Sequence, residues 1–379
     1  MRLGITTFGL DGGKSGMSRY LLQLLPHFAR SQAECELLVL KGERAVFDVV
    51  PDSIAAVEVD DRWASPLANI AWHQWGLGRL CRQRGYDALF VTAGNRRIPL
   101  RLPCPAVGTV HDFAHLHVPG KYDAARTFYQ DKVLPFMVRR LDRVIAISES
   151  GKRDIVEHAG VPPERVEVIY HGADTTSFET PDREACAAAM GRRYGFKPPY
   201  IFYIARLEHP AKNHVRLIRA FDRLKQQTKL PHSLVLAGAE WHGAEAVHRA
   251  RQEATVADDI AYTGFIDQED LPRLYGGADL FAFPSLVEGF GLPLLEAMAC
   301  GTPVACSNAS SIPEVAGDAA LLFDPLDEES IQKALQKGLT DEAKRSDLIR
   351  DGRARSRLFT WEKSAAQTLA VLQRAAQEV

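Results

Sequence analysis

The sequence predicts an α/β protein made of two doubly wound, parallel-sheet domains, and three observations carry that expectation. The chain has 379 residues, more than one typical core accommodates, so about two compact units are expected. Short apolar and β-branched runs recur along it, separated by stretches with helical periodicity, the pattern of parallel strands flanked by helices. Between "RVEVIYHG" and "YIFYIARL" lies Ala173 to Pro199, polar and small-residue-rich and ending in Pro198-Pro199. That stretch separates two halves of comparable size, each a doubly wound sheet in expectation.

Taken in order, "LGITTF" reads as a first strand running into a glycine-rich loop, "LDGGKSG". Leu21, Leu24, Leu25 and Phe28 then mark one face of a helix. "ELLVL", "ALFVTA", "AVGTV", "RVIAIS" and "RVEVIY" give the first half six strands in all. A short helix is expected near Ala185 to Tyr194. The second half begins with "YIFYIA" and continues through "SLVLAG", "IAYTGF", "LFAFP", "TPVAC" and "ALLF", with Leu217, Phe221 and Leu224 on a helix between the first two. The last segment, "FTWEKSAAQTLAVLQRAAQEV", is an amphipathic helix with Trp361, Ala365, Leu369 and Leu372 on one side.

With 46% apolar and 25% charged residues and a formal charge of -2, the composition is that of a globular protein without a general affinity for polyanions. No nucleic-acid partner is expected. From Arg62 to Arg153, however, 15 Lys/Arg stand against 6 Asp/Glu, a local +9 that leaves -11 for the remainder. Such an excess suits an anionic ligand or membrane surface, or equally a solvated basic face. The six cysteines (Cys35, Cys81, Cys104, Cys186, Cys300, Cys306) form no C-x-x-C pair, so reduced thiols fit better than a disulfide framework or zinc site. The N-terminus lacks the apolar core of a signal peptide, and no stretch approaches the roughly 20 apolar residues that cross a bilayer. A cytoplasmic protein is expected, at the inner face of a membrane at most.

The densest chemistry lies in "EGFGLPLLEAMACGTPV", Glu288 to Val304. Ser285 to Gly291 forms the loop at the carboxyl end of the "LFAFP" strand, Pro293 stands in the first turn of a helix, and Gly301 suits its left-handed end. Glu288 then lies in the loop and Glu296 in the early turns of the helix, and both can face the crevice where open α/β sheets bind ligands. The helix start offers unpaired N–H groups to a diphosphate, while Gly289 and Gly291 let backbone approach closely. Two carboxylates would repel a phosphate. They suit neutral hydroxyls better, of a sugar on one flank and a ribose on the other. An E-x7-E spacing alone arises by chance in many helices.

The whole string "PSLVEGFGLPLLEAMACGTPVACS" resembles the hallmark motif of the retaining family 4 glycosyltransferases, which have the GT-B architecture of two Rossmann-like domains facing a central cleft. "IARLEHPAKNHVRLIRAF" supplies Arg206 and Lys212 at the positions of the family's arginine and lysine, with Ala205 where a glycine is usual. Arg206 follows a strand, and Lys212 precedes a helix expected to be capped by Asn213. "GLDGGKSGMSRYLLQLL" resembles the family's N-terminal glycine loop, whose Gly12, Gly13 and Gly16 bring N–H groups to the donor phosphates or the acceptor. "AVGTVHDFAHLH" ends a strand at His111 and Asp112, and Ser148 and His171 to Asp174 match architectural positions at strand ends. His115 and His117 lack a carboxylate or cysteine set at ligand spacing, and a solvent-facing loop is the expectation there. The closing helix resembles one that crosses back to the first domain, giving domains of 1–180 (completed by about 358–379) and 181–357.

The resemblance implies transfer of a hexose from a nucleotide-sugar to an acceptor hydroxyl with retention. Glu296 would hold the ribose, Glu288 and the backbone of Gly289, Phe290, Gly291 and Leu292 the sugar, and Arg206 with Lys212 the diphosphate. His111 would stand near a donor-sugar hydroxyl. Cations aimed at the departing β-phosphate stabilise charge that develops in the transition state. No D-x-D pair is present, so no divalent metal and no other cofactor is expected. The donor base is open, with GDP-mannose ahead of the UDP-sugars by resemblance to bacterial polysaccharide mannosyltransferases, and the acceptor is a glycan or lipid-linked saccharide. "RTFYQDKVLPFMVRRLDRV" mixes Arg126, Lys132, Arg139, Arg140 and Arg143 with Phe128, Tyr129, Phe136 and Met137. It suits a peripheral contact with anionic lipid, or equally a helix with its apolar side in the core. The competing readings are a nucleotide-sugar epimerase of the same fold and a sugar-nucleotide-binding module without chemistry.

Overall fold

The computed structural model describes residues 1–10, 16–94, 98–99, 101, 103–118, 127–174, 178 and 182–378. The chain divides into two compact units. One comprises Met1–Leu116, Tyr122–Gly172 and Thr360–Val379, the other His117–Lys121 and Ala173–Phe359. The main division thus falls at Gly172/Ala173, against an expected 180/181. The Ala173 N–H donates to the Phe359 carbonyl (3.0 Å), so the chain is held side by side at its two passages out of the second unit.

The first unit is a seven-stranded parallel sheet. Its strands are β1 (Arg2–Thr6), β2 (Glu34–Leu40), β3 (Ala55–Val59), β4 (Ala88–Val91), β5 (Ala106–Val110), β6 (Arg143–Ala146) and β7 (Val166–Val168), in the order β3-β2-β1-β4-β5-β6-β7. Strand β3 escapes the sequence reading. It is an edge strand pairing with β2 alone, and its short apolar run, mostly alanine, is broken by the exposed Glu58.

The final helix, Trp361–Gln377, belongs to this unit. It buries Trp361, Ser364, Ala365, Thr368, Val371, Leu372 and Ala375, so Val371 takes the place expected of the half-buried Leu369. Arg374 and Arg143 both pair with Glu167, and Arg143 pairs again with Glu378 at the helix end. Arg143 is therefore a structural cation in the described structure, and Met137 lies in the core, which removes both from the expected membrane-facing set.

The second unit is a six-stranded parallel sheet. Strands β8 (Tyr200–Ile204), β9 (Ser233–Ala237), β10 (Ile260–Gly264), β11 (Leu280–Phe283), β12 (Val304–Ser307) and β13 (Leu321–Phe323) run in the order β10-β9-β8-β11-β12-β13. The expected helix precedes it at Arg183–Tyr194, capped by the Asp182 side chain and ended by Gly195 in the left-handed region. Phe202, Tyr275 and Phe281, all buried, meet at ring distances of 5.3 to 6.1 Å beneath β8 and β11. Each such side chain contributes ~1.5–3 kcal/mol by leaving water. In both sheets the strand order reverses once, between β1 and β4 and between β8 and β11. The carboxyl ends of that strand pair are where open α/β sheets take ligands.

Candidate donor-phosphate and sugar site

Arg206 leaves the end of β8 and Glu288 follows β11, so the two segments flank the strand-order reversal of the second unit. They are stitched together directly. The Leu286 N–H donates to the Ala211 carbonyl (2.9 Å), and the Tyr203 hydroxyl donates to the Lys212 carbonyl (2.7 Å) while lying 3.2 Å from Ser285 Oγ. Lys212 Nζ donates to Glu288 Oε1 at 2.8 Å, with both side chains about five-sixths buried. Lysine and glutamate, separately assigned from sequence, thus form one ion pair.

Asn213 holds the N-cap position of the His214–Gln227 helix but does not cap it. Its backbone is left-handed (φ 58°), and its amide donates instead to the carbonyls of Pro284 (3.0 Å) and Pro325 (2.7 Å). Two buried carbonyls from distant loops outcompete the local cap, and the gain is a fixed position for Lys212 immediately before it.

Glu288 is itself braced. Ser310 Oγ (2.8 Å) and Ser311 Oγ (2.9 Å) donate to its carbonyl, and Ser311 also donates to that of Phe290 (3.0 Å). The Phe290 ring is buried against Phe359, so its side chain is turned into the core. Gly291 (φ 113°) turns the chain into the Leu292–Ala299 helix, which has Pro293 in its first turn, and Gly301 (φ 73°) follows its end. Glu296 is buried in that helix and accepts from the Tyr275 hydroxyl at Oε2 (2.9 Å). Neither Ser311 nor Tyr275 stands out in the sequence, because their roles depend on contacts with segments 21 residues away.

Arg206 projects with half its side chain exposed, its NH2 3.2 Å from Glu208 Oε2 and its guanidinium carbon 4.8 Å from the centre of the Trp241 ring. Cationic groups, a carboxylate and an approachable backbone therefore converge at one sheet end. That arrangement can hold a phosphate beside a hydroxylated group.

His214 is buried at the start of its helix, and neither ring nitrogen has a hydrogen-bond partner among the described residues. Burial first, then the charges of Lys212 and His209, push its pKa down to about 3. An unfolded histidine protonates near ~6.5, so only the unfolded chain takes up this proton between those values. The stability is full above ~6.5 and falls as pH drops toward 3. The single group contributes at most ~1.4 kcal/mol per pH unit in that window. Denaturant titrations at pH 7 and pH 5 are expected to show a His214→Asn variant losing ~2 kcal/mol less than the parent over that interval.

In the first unit His111 follows β5, is buried, and has Nε2 3.0 Å from the Thr92 carbonyl beyond β4. Tyr20 lies edge-on to it (5.1 Å) and stacks on His171 (4.7 Å), which also contacts Trp361 (5.5 Å). Burial, then the charge of His111, holds His171 well below the usual histidine range. His171 is thus a core residue at the foot of the closing helix, and Ser148 Oγ caps the Glu149–Asp154 helix, both architectural. Gly12, Gly13, Arg126 and the His115 side chain lie outside the described residues. His117 is exposed, and among the described residues no three His, Cys, Asp or Glu side chains gather as a metal ion would need.

Residues 14–177 match the profile for Glycosyltransferase Family 4, and residues 192–355 that for Glycosyl transferases group 1. Among relatives, the O-antigen chain mannosyltransferase B of Escherichia coli is 29% identical over 94% of this chain and 95% of its own length. The serotype-specific mannosyltransferase WbdA of the same organism is 33% identical over 70% of this chain, which spans only 33% of that longer protein. Among solved structures, a sucrose-phosphate synthase from Thermosynechococcus elongatus superposes with a TM-score of 0.78 at 20% identity, over all of both chains. Anabaena HepE, solved with UDP and glucose, gives 0.74 at 19% identity over 98% of each. At those identities the likeness concerns the fold, two parallel-sheet α/β domains of the GT-B class. With both halves of the chain matched in order, this protein belongs to the family 4 glycosyltransferases.

Proposed function

We propose that the protein transfers a mannosyl residue from GDP-mannose to a hydroxyl of a glycan or lipid-linked acceptor in polysaccharide synthesis, with retention and without a divalent metal. The observation that carries this reading is the ion pair of Lys212 with Glu288, beside Arg206, at the strand-order reversal of the second unit. In a nucleotide-sugar the β-phosphate adjoins the sugar. A cation and a hydroxyl acceptor 2.8 Å apart meet such a junction, the lysine facing the phosphate and the carboxylate a sugar hydroxyl. As the bond from C1 to the β-phosphate oxygen breaks, negative charge grows on that phosphate, and Arg206 and Lys212 take the place a metal ion occupies in other transferases. The acceptor oxygen bonds to C1 on the same face and its proton passes to the leaving phosphate. Glu296, oriented by the Tyr275 hydroxyl at Oε2, accepts a further hydrogen bond from a ribose hydroxyl. Mannose as the sugar is supported by the sequence relatives, an O-antigen chain mannosyltransferase and a serotype-specific mannosyltransferase.

Titrating GDP, UDP, dTDP and ADP by calorimetry in EDTA tests the donor site. GDP is expected to bind the parent protein, and Glu296→Ala to weaken it at least tenfold. Preference for UDP would overturn the choice of donor, and binding that appears only with added metal would overturn the metal-free phosphate site.

The acceptor side of the reading rests on the first unit. Phe128 (63% exposed) and Phe136 (46%) project from the 127–138 helical run, with Lys132, Arg139 and Arg140 exposed beside them and Arg140 over the Phe136 ring. Leu67, Ile70 and Trp75 are exposed on a second run that continues to Arg79 and Arg82. No helix among the described residues is long and apolar enough to cross a membrane. Aromatic and basic side chains together suit the surface of an anionic bilayer, where each cation contributes ~1 kcal/mol. Co-sedimentation with vesicles rich in phosphatidylglycerol is expected, and to fall about tenfold when Arg139 and Arg140 both become glutamine. Unchanged sedimentation of that variant would remove the membrane contact.

A further inference from the structure

Arg206 is held on two sides. Glu208 has only 1% of its side chain exposed, and a buried carboxylate is costly unless cations and donors surround it. Its Oε2 lies 3.2 Å from Arg206 NH2 and its Oε1 3.7 Å from His242 Nε2. Its main chain reaches both residues proposed to hold the phosphate, donating to the Arg206 carbonyl (2.7 Å) and accepting from the Lys212 N–H (3.0 Å). On the other side stands Trp241, half exposed, its ring centre 4.8 Å from the guanidinium carbon. The loop carrying Trp241 is fixed to the segment after β8 by the bond from the Leu207 N–H to the Ala239 carbonyl (2.9 Å) and by the bridge of Leu207 with Glu240.

A half-exposed arginine without such contacts samples many rotamers, and ordering it at the moment of reaction costs side-chain entropy. Here the ordering precedes the ligand: one guanidinium nitrogen meets a carboxylate, the group lies over an indole, and half of the side chain stays exposed. The negative charge of Glu208 opposes phosphate binding, but its burial against Arg206 and beside His242 keeps it behind the guanidinium. Preorganisation then outweighs repulsion, because it acts in the transition state where charge on the phosphate is largest.

We propose that Glu208 and Trp241 are positioning residues that fix the Arg206 guanidinium for the leaving diphosphate. The inference rests on the assignment of Arg206 to that phosphate. The test measures kcat and KM for the donor in Glu208→Gln, Trp241→Ala, Trp241→Phe, Arg206→Ala and the double variants with Arg206→Ala, with thermal melting beside each. The expected result is a roughly tenfold fall in kcat for Glu208→Gln and Trp241→Ala with KM changed less than threefold. Trp241→Phe restores most of the rate, and neither substitution lowers the rate further once Arg206 is alanine. Trp241 is half exposed, so its variants keep the test available if Glu208→Gln does not fold. Equal losses with and without Arg206 would overturn the inference, since a merely structural contribution persists in both backgrounds. Unchanged kcat in Glu208→Gln and Trp241→Ala, with Arg206→Ala impaired, would overturn it alone. Unimpaired Arg206→Ala would overturn it together with the phosphate assignment.

Discussion

Replacing either Arg206 or Lys212 with alanine is expected to lower turnover by ~10²-fold or more, the usual cost of one transition-state charge partner. The two losses should differ in character. Arg206 is half exposed, so its removal costs little packing, but the buried Glu208 then loses its nearest cation and a lower melting temperature is expected. Lys212 lies five-sixths buried against Glu288, and its removal strands a carboxylate beside the proposed diphosphate position. Lys212→Ala therefore suffers twice, from the missing cation and from the repulsion by Glu288, and should show the larger rise in donor KM. The double variant Lys212→Ala/Glu288→Gln should recover part of that KM while kcat stays low. Steady-state kinetics with a GDP-mannose donor and a saccharide acceptor measure both constants. Near-parental turnover in either single variant would remove that residue from the mechanism.

Much of this arrangement is legible in the sequence because it is local. The glycines and proline of "EGFGLP" encode a turn and a helix start, and apolar runs such as "LFAFP" encode strands buried on both faces. The order of those strands is not local. Nothing in the runs themselves says that β8 lies beside β11, yet that adjacency brings Arg206 and Glu288 to one sheet end. Strand β3 was hidden for a related reason, since an edge strand with one wet face needs no apolar run. Asn213 shows the limit of a correct local rule. The residue type and position are those of a cap, but the carbonyls of Pro284 and Pro325, 71 and 112 residues away, claim its amide. The role of Glu208 was unreadable for the same cause: a glutamate two residues after the arginine has no signature until the fold buries it.

The backbone that carries Arg206 depends on one glycine from the neighbouring strand end, and Gly238→Ala is expected to be the most damaging small substitution in the second unit. Gly238 sits at φ +134°, and a Cβ there would lie 2.1 Å from the Ala205 carbonyl oxygen, 2.6 Å from its carbon and 3.1 Å from the Arg206 nitrogen. All three are backbone atoms, so no rotamer change relieves the clash. Nor can the glycine withdraw, because its N–H donates to the Gly264 carbonyl (2.8 Å) and its own carbonyl accepts from the Tyr262 hydroxyl (2.8 Å). The Ala205 N–H is likewise fixed on the Ala237 carbonyl (2.9 Å). Strain plus overlap should cost ~3 kcal/mol or more, which for a unit of this size lowers melting by about 10 °C. Gly264→Ala is the control: its φ of +71° is also left-handed, but no atom lies within 4 Å of its would-be Cβ. It should lose only ~1 kcal/mol. Turnover measured well below both melting points should fall in Gly238→Ala and hold in Gly264→Ala, because only the former displaces the peptide between Ala205 and Arg206. Equal losses in the two variants would show that left-handed backbone strain alone sets the cost, and that the close approach to Arg206 does not constrain the phosphate site.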